Sequence, residues 1–99
     1  MEKDFYYIEL FEIYGGLLTE NQKDAFYSHY CLDLSLAEIA EDKGLGRQSV
    51  FDTIKNAKTK LDEYERVLKL KEKFKKLKEL AEAATEEKFA AEIISVIGE

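Results

Sequence analysis

The segment 35–54, SLAEIAEDKGLGRQSVFDTI, puts a helix start, a stop, a turn and a restart so close together that few folds can accommodate it. Ser35, followed three residues later by Glu38, forms a capping box, the reciprocal pairing that opens a helix. Ile39 and Ala40 are the inward positions of that short helix, Gly44 suits the left-handed conformation that ends it, and Leu45 anchors the turn. A second helix starts near Arg47. Its inward positions, Val50 and Ile54, are four apart and share a face, so Arg47, Gln48, Ser49, Asp52 and Lys55 point outward. Two helices joined in this way make a helix-turn-helix, with the second helix in the recognition position.

The rest of the chain consists of residues that favour helix. Its 99 residues include no proline and five glycines, and Glu, Lys, Leu and Ala are abundant. The expectation is an all-α protein: a three-helix unit holding the helix-turn-helix, an N-terminal amphipathic helix and a C-terminal helical extension. An apolar fraction of 45% supports one modest core. A single helical domain over 1–99 is therefore expected, with the helix-turn-helix unit at 19–65 and an extension at 66–99 that serves dimerisation.

Tyr7, Ile8, Phe11, Tyr14 and Leu18 recur at helical spacing between Phe5 and Gly15-Gly16, which predicts one amphipathic helix ending in a flexible turn. Leu18, Thr19 and Gln22 fit an N′ hydrophobe, an N-cap and an N3 acceptor. They open a helix that presents Phe26, Tyr27 and Tyr30 and runs to about residue 30, after which Asp33 and Leu34 lead to Ser35. Beyond Ile54 neither Gly nor Pro occurs until Gly98, and Ala57, Leu61, Tyr64 and Leu68 continue the third helix. A second set, Val67, Leu70, Phe74, Leu77, Ala81 and Ala84, alternates steps of three and four as a heptad seam does. The two sets differ in phase near Val67. Unbroken from Arg47 to Ala84, the helix would be roughly 57 Å long, more than the width of such a domain. A break near 69–73, followed by packing in a homodimer, is the expectation. Thr85 ahead of Glu86 and Glu87 fits the N-cap of a last helix carrying Phe89, Ile93, Val96 and Ile97.

Net charge is −6, but its distribution is uneven. Residues 1–42 hold ten acids and two bases, residues 43–61 hold five bases against Asp52, and residues 62–99 hold ten acids and eight bases. Positive charge concentrates on the candidate recognition helix and on a basic stretch, Arg66, Lys69, Lys71, Lys73, Lys75, Lys76 and Lys78, interrupted only by Glu72. Such a chain either binds phosphate selectively or presents these lysines as solvated helix faces.

No enzyme site is visible. His29 and Cys31 are two apart but lack an orienting third group and an anion hole, and they fit a helix-end histidine and a small core cysteine. Gly44 to Gly46 is too short to cradle phosphate and follows a helix, not a strand. No metal-ligand cluster and no cofactor site are expected. One cysteine fits a reducing interior, and no apolar run of about 18 residues or charged-then-apolar leader is present. A cytoplasmic protein without membrane insertion is expected. The aromatic set Tyr6, Tyr7, Phe11, Tyr14, Phe26 and Tyr30 fits core and interface packing more than a base-stacking platform, because its spacing is helical and its neighbours are acidic.

The first turn of the third helix is the part a helix-turn-helix inserts into the major groove. There Arg47 suits guanine O6 and N7, Gln48 suits adenine N6 and N7, and Ser49 suits either base, while Lys55, Lys58 and Lys60 lie farther along toward phosphates. Asp52 shares the exposed face and opposes phosphate.

The blocks FEIYGGLLTENQ, DLSLAEIAE, GRQSVFDTIKNA, LDEYE and KFKKLKEL, in that order and across most of the chain, resemble the YlxM family of small bacterial proteins. That family is associated with the signal recognition particle, and its helix-turn-helix is similar to region 4 of sigma factors. The chain departs from the family pattern at Gly46 in place of a serine N-cap, at Asn56 in place of a base, and at Lys43 in place of a large apolar residue. The resemblance implies an all-helical, dimeric, non-enzymatic regulatory protein of the signal recognition particle pathway with a DNA-binding type of helix-turn-helix. A different reading of the same resemblance is an adaptor that docks on the particle's RNA, its protein or its GTPase, with the motif as scaffold and the 66–78 stretch contacting RNA phosphates. A third is a bare dimerisation module.

Overall fold

The computed structural model describes residues 4–83 together with 94, 95, 97 and 98. The described residues are helical throughout their regular structure and include no strand. In order they form α1 (Phe5–Tyr14), a 3-10 turn (Gly15–Leu17), α2 (Glu20–Phe26), a π turn (Tyr27–Cys31), α3 (Leu36–Lys43), α4 (Arg47–Leu68) and α5 (Leu70–Ala83). The chain divides into two compact units, 1–67 and 68–99.

In the first unit, the helix starts are set by side chains that meet orphan amides. Thr19 Oγ1 accepts from the Gln22 amide at 3.2 Å while the Gln22 side chain accepts from the Thr19 amide at 3.1 Å. Ser35 and Glu38 repeat the exchange at the start of α3, both bonds at 3.1 Å. Both capping boxes therefore form as the spacing predicts. The bonds from Ser35 hold the Glu38 carboxyl below the ordinary glutamate value, since they favour its charged form.

Gly15 and Gly16 do not interrupt the backbone as a loose turn. They continue α1 into a 3-10 turn, with Leu18 N–H donating to Gly15 O at 3.1 Å. Gly15 is buried, and a Cβ there would stand 3.2 Å from the Phe11 ring, so glycine lets the ring lie flat on the backbone. Phe11 in turn stacks on Phe26 with ring centroids 4.6 Å apart, and Phe26 stacks on Tyr30 at the same distance. This column of three rings fastens α1 to α2. Leu10 is also fully buried, one position away from the apolar series read along α1.

The helix opened at Thr19 keeps α pitch only to Phe26 and then widens into a π turn through Cys31. Leu32 N–H reaches back to Tyr27 O at 3.1 Å, and Asp33 adopts a positive φ of 59°. His29 Nδ1 donates to Leu34 O at 2.8 Å, which fits the histidine to its place at the helix end. Cys31 is half-buried, not a core residue.

Ala25, Ile39, Ala40, Val50 and Ile54 form the core of the helix-turn-helix, with Tyr30, Leu34 and Leu36 packed around it. Farther along, α4 also buries Ala57 and Leu61, and its far half is tied to α1 and the 3-10 turn by tyrosines. Tyr7 Oη donates to Asp62 Oδ2 and Tyr14 Oη donates to Glu65 Oε1, both at 2.7 Å; Tyr64 Oη reaches Leu17 O at 3.4 Å. The Asp62 bond, with partial burial and the nearby negative charge, pushes the Tyr7 phenol up to about 12.

α4 ends at Leu68. Lys69 takes a positive φ of 53°, and α5 restarts at Leu70, its Lys73 N–H bonded to Lys69 O at 2.9 Å. The break expected near 69–73 is therefore one residue, made without glycine or proline. In the second unit, described by itself, Lys76 pairs with Glu72 at 3.3 Å, and Ile94 and Ile97 lie in short helical pieces. Ala84, the Thr85 cap and the positions Phe89, Ile93 and Val96 lie outside the described residues.

Gly44 has φ 67°, the left-handed conformation that penalises a Cβ. Gly44→Ala is expected to lower stability by about 1–2 kcal/mol. A urea melt followed by circular dichroism at unchanged helix content would measure this; an unaltered midpoint would show that the turn does not need glycine.

Candidate nucleic-acid interface

The turn between α3 and α4 is fastened from both sides. Leu45 N–H donates to Ala40 O at 2.9 Å and Gly44 N–H to Glu41 O at 3.3 Å, the paired bonds of a Schellman ending. Leu45 itself is about half exposed at 51%, so its backbone, more than its side chain, anchors the turn. Val50 N–H then bonds Gly46 O at 3.2 Å, starting α4 without a side-chain cap. Lys43 directs its Nζ to Asp24 Oδ2 on α2, 3.5 Å away, bracing α3, the motif's first helix, against α2.

With both helices fixed, Arg47, Gln48 and Ser49 stand exposed in the first turn of α4, ahead of Val50, which is buried. They form one small polar surface with Asp52 and Lys55. Gln48 Nε2 donates to Asp52 Oδ1 at 3.0 Å, so the amide and the carboxylate answer each other one turn apart. Arg47 and Lys55 remain in solvent beside this pair.

The three lysines do not act as one set. Lys55 is exposed, but Lys58 is half-buried, its Nζ lying over the Tyr7 ring at 4.6 Å and near the Tyr30 ring at 5.6 Å. Lys60 is half-buried two residues on, and residues two apart face different sides of a helix. The structure thus brings Arg47, Gln48, Ser49 and Lys55 together, turns Lys58 toward the tyrosines and sends Lys60 to another flank. Helical spacing alone carries no sign of the Lys58 contact, because Tyr7 and Tyr30 arrive from other segments. Phe51, 47% exposed, also belongs to this surface. Its signal in the sequence was its place one step outside the Val50–Ile54 stripe.

The basic stretch is divided too. Arg66 lies at the end of α4 in the first unit, 4.0 Å from Glu63, whereas the lysines belong to the second. There Lys69, Lys73, Lys75, Lys76 and Lys78 are exposed and Lys71 is half-buried.

Comparison with known proteins agrees with this geometry. A family model described as "Putative helix-turn-helix protein, YlxM / p13 like" (UPF0122) matches residues 1–97. The chain belongs to the YlxM / p13-like family. Within that family it is 41% identical to the UPF0122 protein YlxM of Bacillus subtilis, over 89% of this chain and 86% of that protein. A UPF0122 protein of Halalkalibacterium halodurans is 39% identical, over 89% and 84% of the two chains. One from a Thermoanaerobacter species is 35% identical across all of this chain and 92% of its own. The family match spans both units, so the YlxM-like pattern includes α5 as well as the helix-turn-helix. Among the described residues, no helix is long and apolar enough to cross a membrane.

Proposed function

We propose that this chain is a non-catalytic, cytoplasmic regulatory protein of the signal recognition particle pathway that binds double-stranded DNA as a homodimer. The observation that carries the reading is the exposed first turn of α4, where Arg47, Gln48 and Ser49 follow a helix, α3, that is capped at both ends. In a major groove, Arg47 reads guanine and Gln48 reads adenine after releasing Asp52, with Ser49 beside them. Lys55 takes the nearest phosphate; Lys58 and Lys60 supply charge from the two flanks. A dimer sets two such helices about 34 Å apart, on successive turns of the duplex. Family membership supports the helix-turn-helix, and the sequence resemblance supplies the pathway.

The test is a low-salt mobility shift with duplex DNA from upstream of the protein's own operon. Retardation that weakens as salt rises is expected, because each phosphate contact releases counterions. No retardation at low salt overturns the reading. Sedimentation as a monomer at micromolar concentration removes the dimer.

One observation favours a second reading. Four exposed lysines on α5, Lys73, Lys75, Lys76 and Lys78, give the second unit a basic surface of its own. In this reading the protein is an adaptor that holds the particle's RNA or protein through 66–78, and the helix-turn-helix is scaffold. A pull-down that recovers neither would remove it.

A further inference from the structure

An open groove of about 410 Å³ lies in the first unit, between α1, the π turn and the middle of α4. Tyr7, Tyr30, Leu36, Phe51 and Ile54 line it, together with Lys55 and Lys58 from α4. We infer that this groove binds a small molecule carrying an aromatic ring and an anionic group, of the aryl carboxylate class.

Size and lining come first. The volume is within the range of sites for small ligands, which are mostly apolar with a few placed polar groups. Phe51 is about half exposed without a ring partner of its own among the described residues, so its face is open to a flat ring, whereas the Tyr7 and Tyr30 rings already face Lys58 and Tyr30 also stacks on Phe26.

Charge decides the second half of the ligand. Neither Lys55 nor Lys58 has a carboxylate within ion-pair distance among the described residues. The acid in the groove, Asp62, already accepts the Tyr7 hydroxyl at 2.7 Å. Lys58 is held in place by two rings and keeps N–H donors for an incoming anion. His29 also lines the groove and gives its Nδ1 proton to Leu34 O, which makes Nε2 the remaining polar atom of its ring.

The apolar lining is also short. Along α4 it is bounded by Arg47 and Gln48 before Phe51, and by Glu65 and Arg66 beyond Asp62. A partner helix needs apolar positions repeated over several turns; the apolar side chains that α4 gives to this groove are Phe51 and Ile54. The site shares Lys55 and Lys58 with the DNA reading, whereas Tyr7, Tyr30 and His29 have no part in that reading.

The experiment titrates the full-length, 15N-labelled protein with indole-3-carboxylate and, separately, with indole-3-carboxamide. Saturable shifts at the amides of His29, Phe51, Lys55 and Thr59 are expected with the acid, and the amide should bind about tenfold more weakly. Lys58→Met keeps the aliphatic stem and removes the charge. It should bring the acid down to the affinity of the amide while leaving the spectrum otherwise folded. Equal affinity for acid and amide overturns the proposal, as does an absence of saturable shifts at about 10 mM probe. Shifts confined to another surface overturn it as well. A short single-stranded oligonucleotide that moves the same amides at far lower concentration than either indole would replace it with a base-stacking site.

Discussion

Phe26→Ala is expected to destabilise the protein by about 3–5 kcal/mol, the range for removing a buried aromatic ring from a core. Phe26 is completely buried and is the middle ring of the Phe11–Phe26–Tyr30 column, so alanine removes two stacking contacts at once. The loss is large against a total stability of about 5–15 kcal/mol for a typical domain. Phe11→Ala should cost less, because Phe11 is only half-buried. Phe26→Leu, which retains most of the volume, should lie between the wild type and alanine. Urea melts of the three variants give the order directly. A Phe26→Ala midpoint equal to that of the wild type would mean that the column does not join α1 to α2 energetically.

The second large effect concerns recognition. Arg47→Ala should cost about 1–3 kcal/mol of discrimination between the preferred duplex and a scrambled one, the worth of a bidentate arginine–guanine contact. Lys55→Ala should weaken binding to both duplexes alike and reduce the salt slope by about 1. Asp52→Asn should act in the opposite direction, because it removes a carboxylate from the face that meets phosphate while leaving an oxygen for Gln48. Titrations of the three variants against both duplexes, at several salt concentrations, separate these outcomes. If Arg47→Ala weakens both duplexes equally, Arg47 is a phosphate contact and the reader lies elsewhere.

The parts of the fold legible in the sequence are those made by local hydrogen bonding. Thr19 with Gln22, Ser35 with Glu38 and Gly44 each mark a boundary through a side chain or a backbone freedom acting within a few residues. Those boundaries set the helix-turn-helix and hence the exposure of Arg47, Gln48 and Ser49. The stripe Val50, Ile54, Ala57 and Leu61 was legible for a similar reason, since one helical face carries it.

What was hidden depends on partners distant in the chain or on conformations without a residue signature. Lys58 turns toward Tyr7 and Tyr30 because rings from two other segments meet there, and no spacing along α4 encodes them. Leu10 is buried although it falls outside the periodic set that identified α1. The phase change near Val67 located the end of α4, but the left-handed Lys69 that makes the break belongs to a residue type that rarely adopts it.

The π turn at Tyr27–Cys31 has a consequence for chain length. A π turn closes its hydrogen bond over one residue more than an α turn does, so this segment holds a surplus residue within a continuous helix. The wider turn takes up that residue locally, so a one-residue deletion there is absorbed by the return to α pitch, and Ser35 with the recognition helix behind it keeps nearly the same direction. Between α2 and α3 the chain can lose a residue without re-aiming its candidate reader.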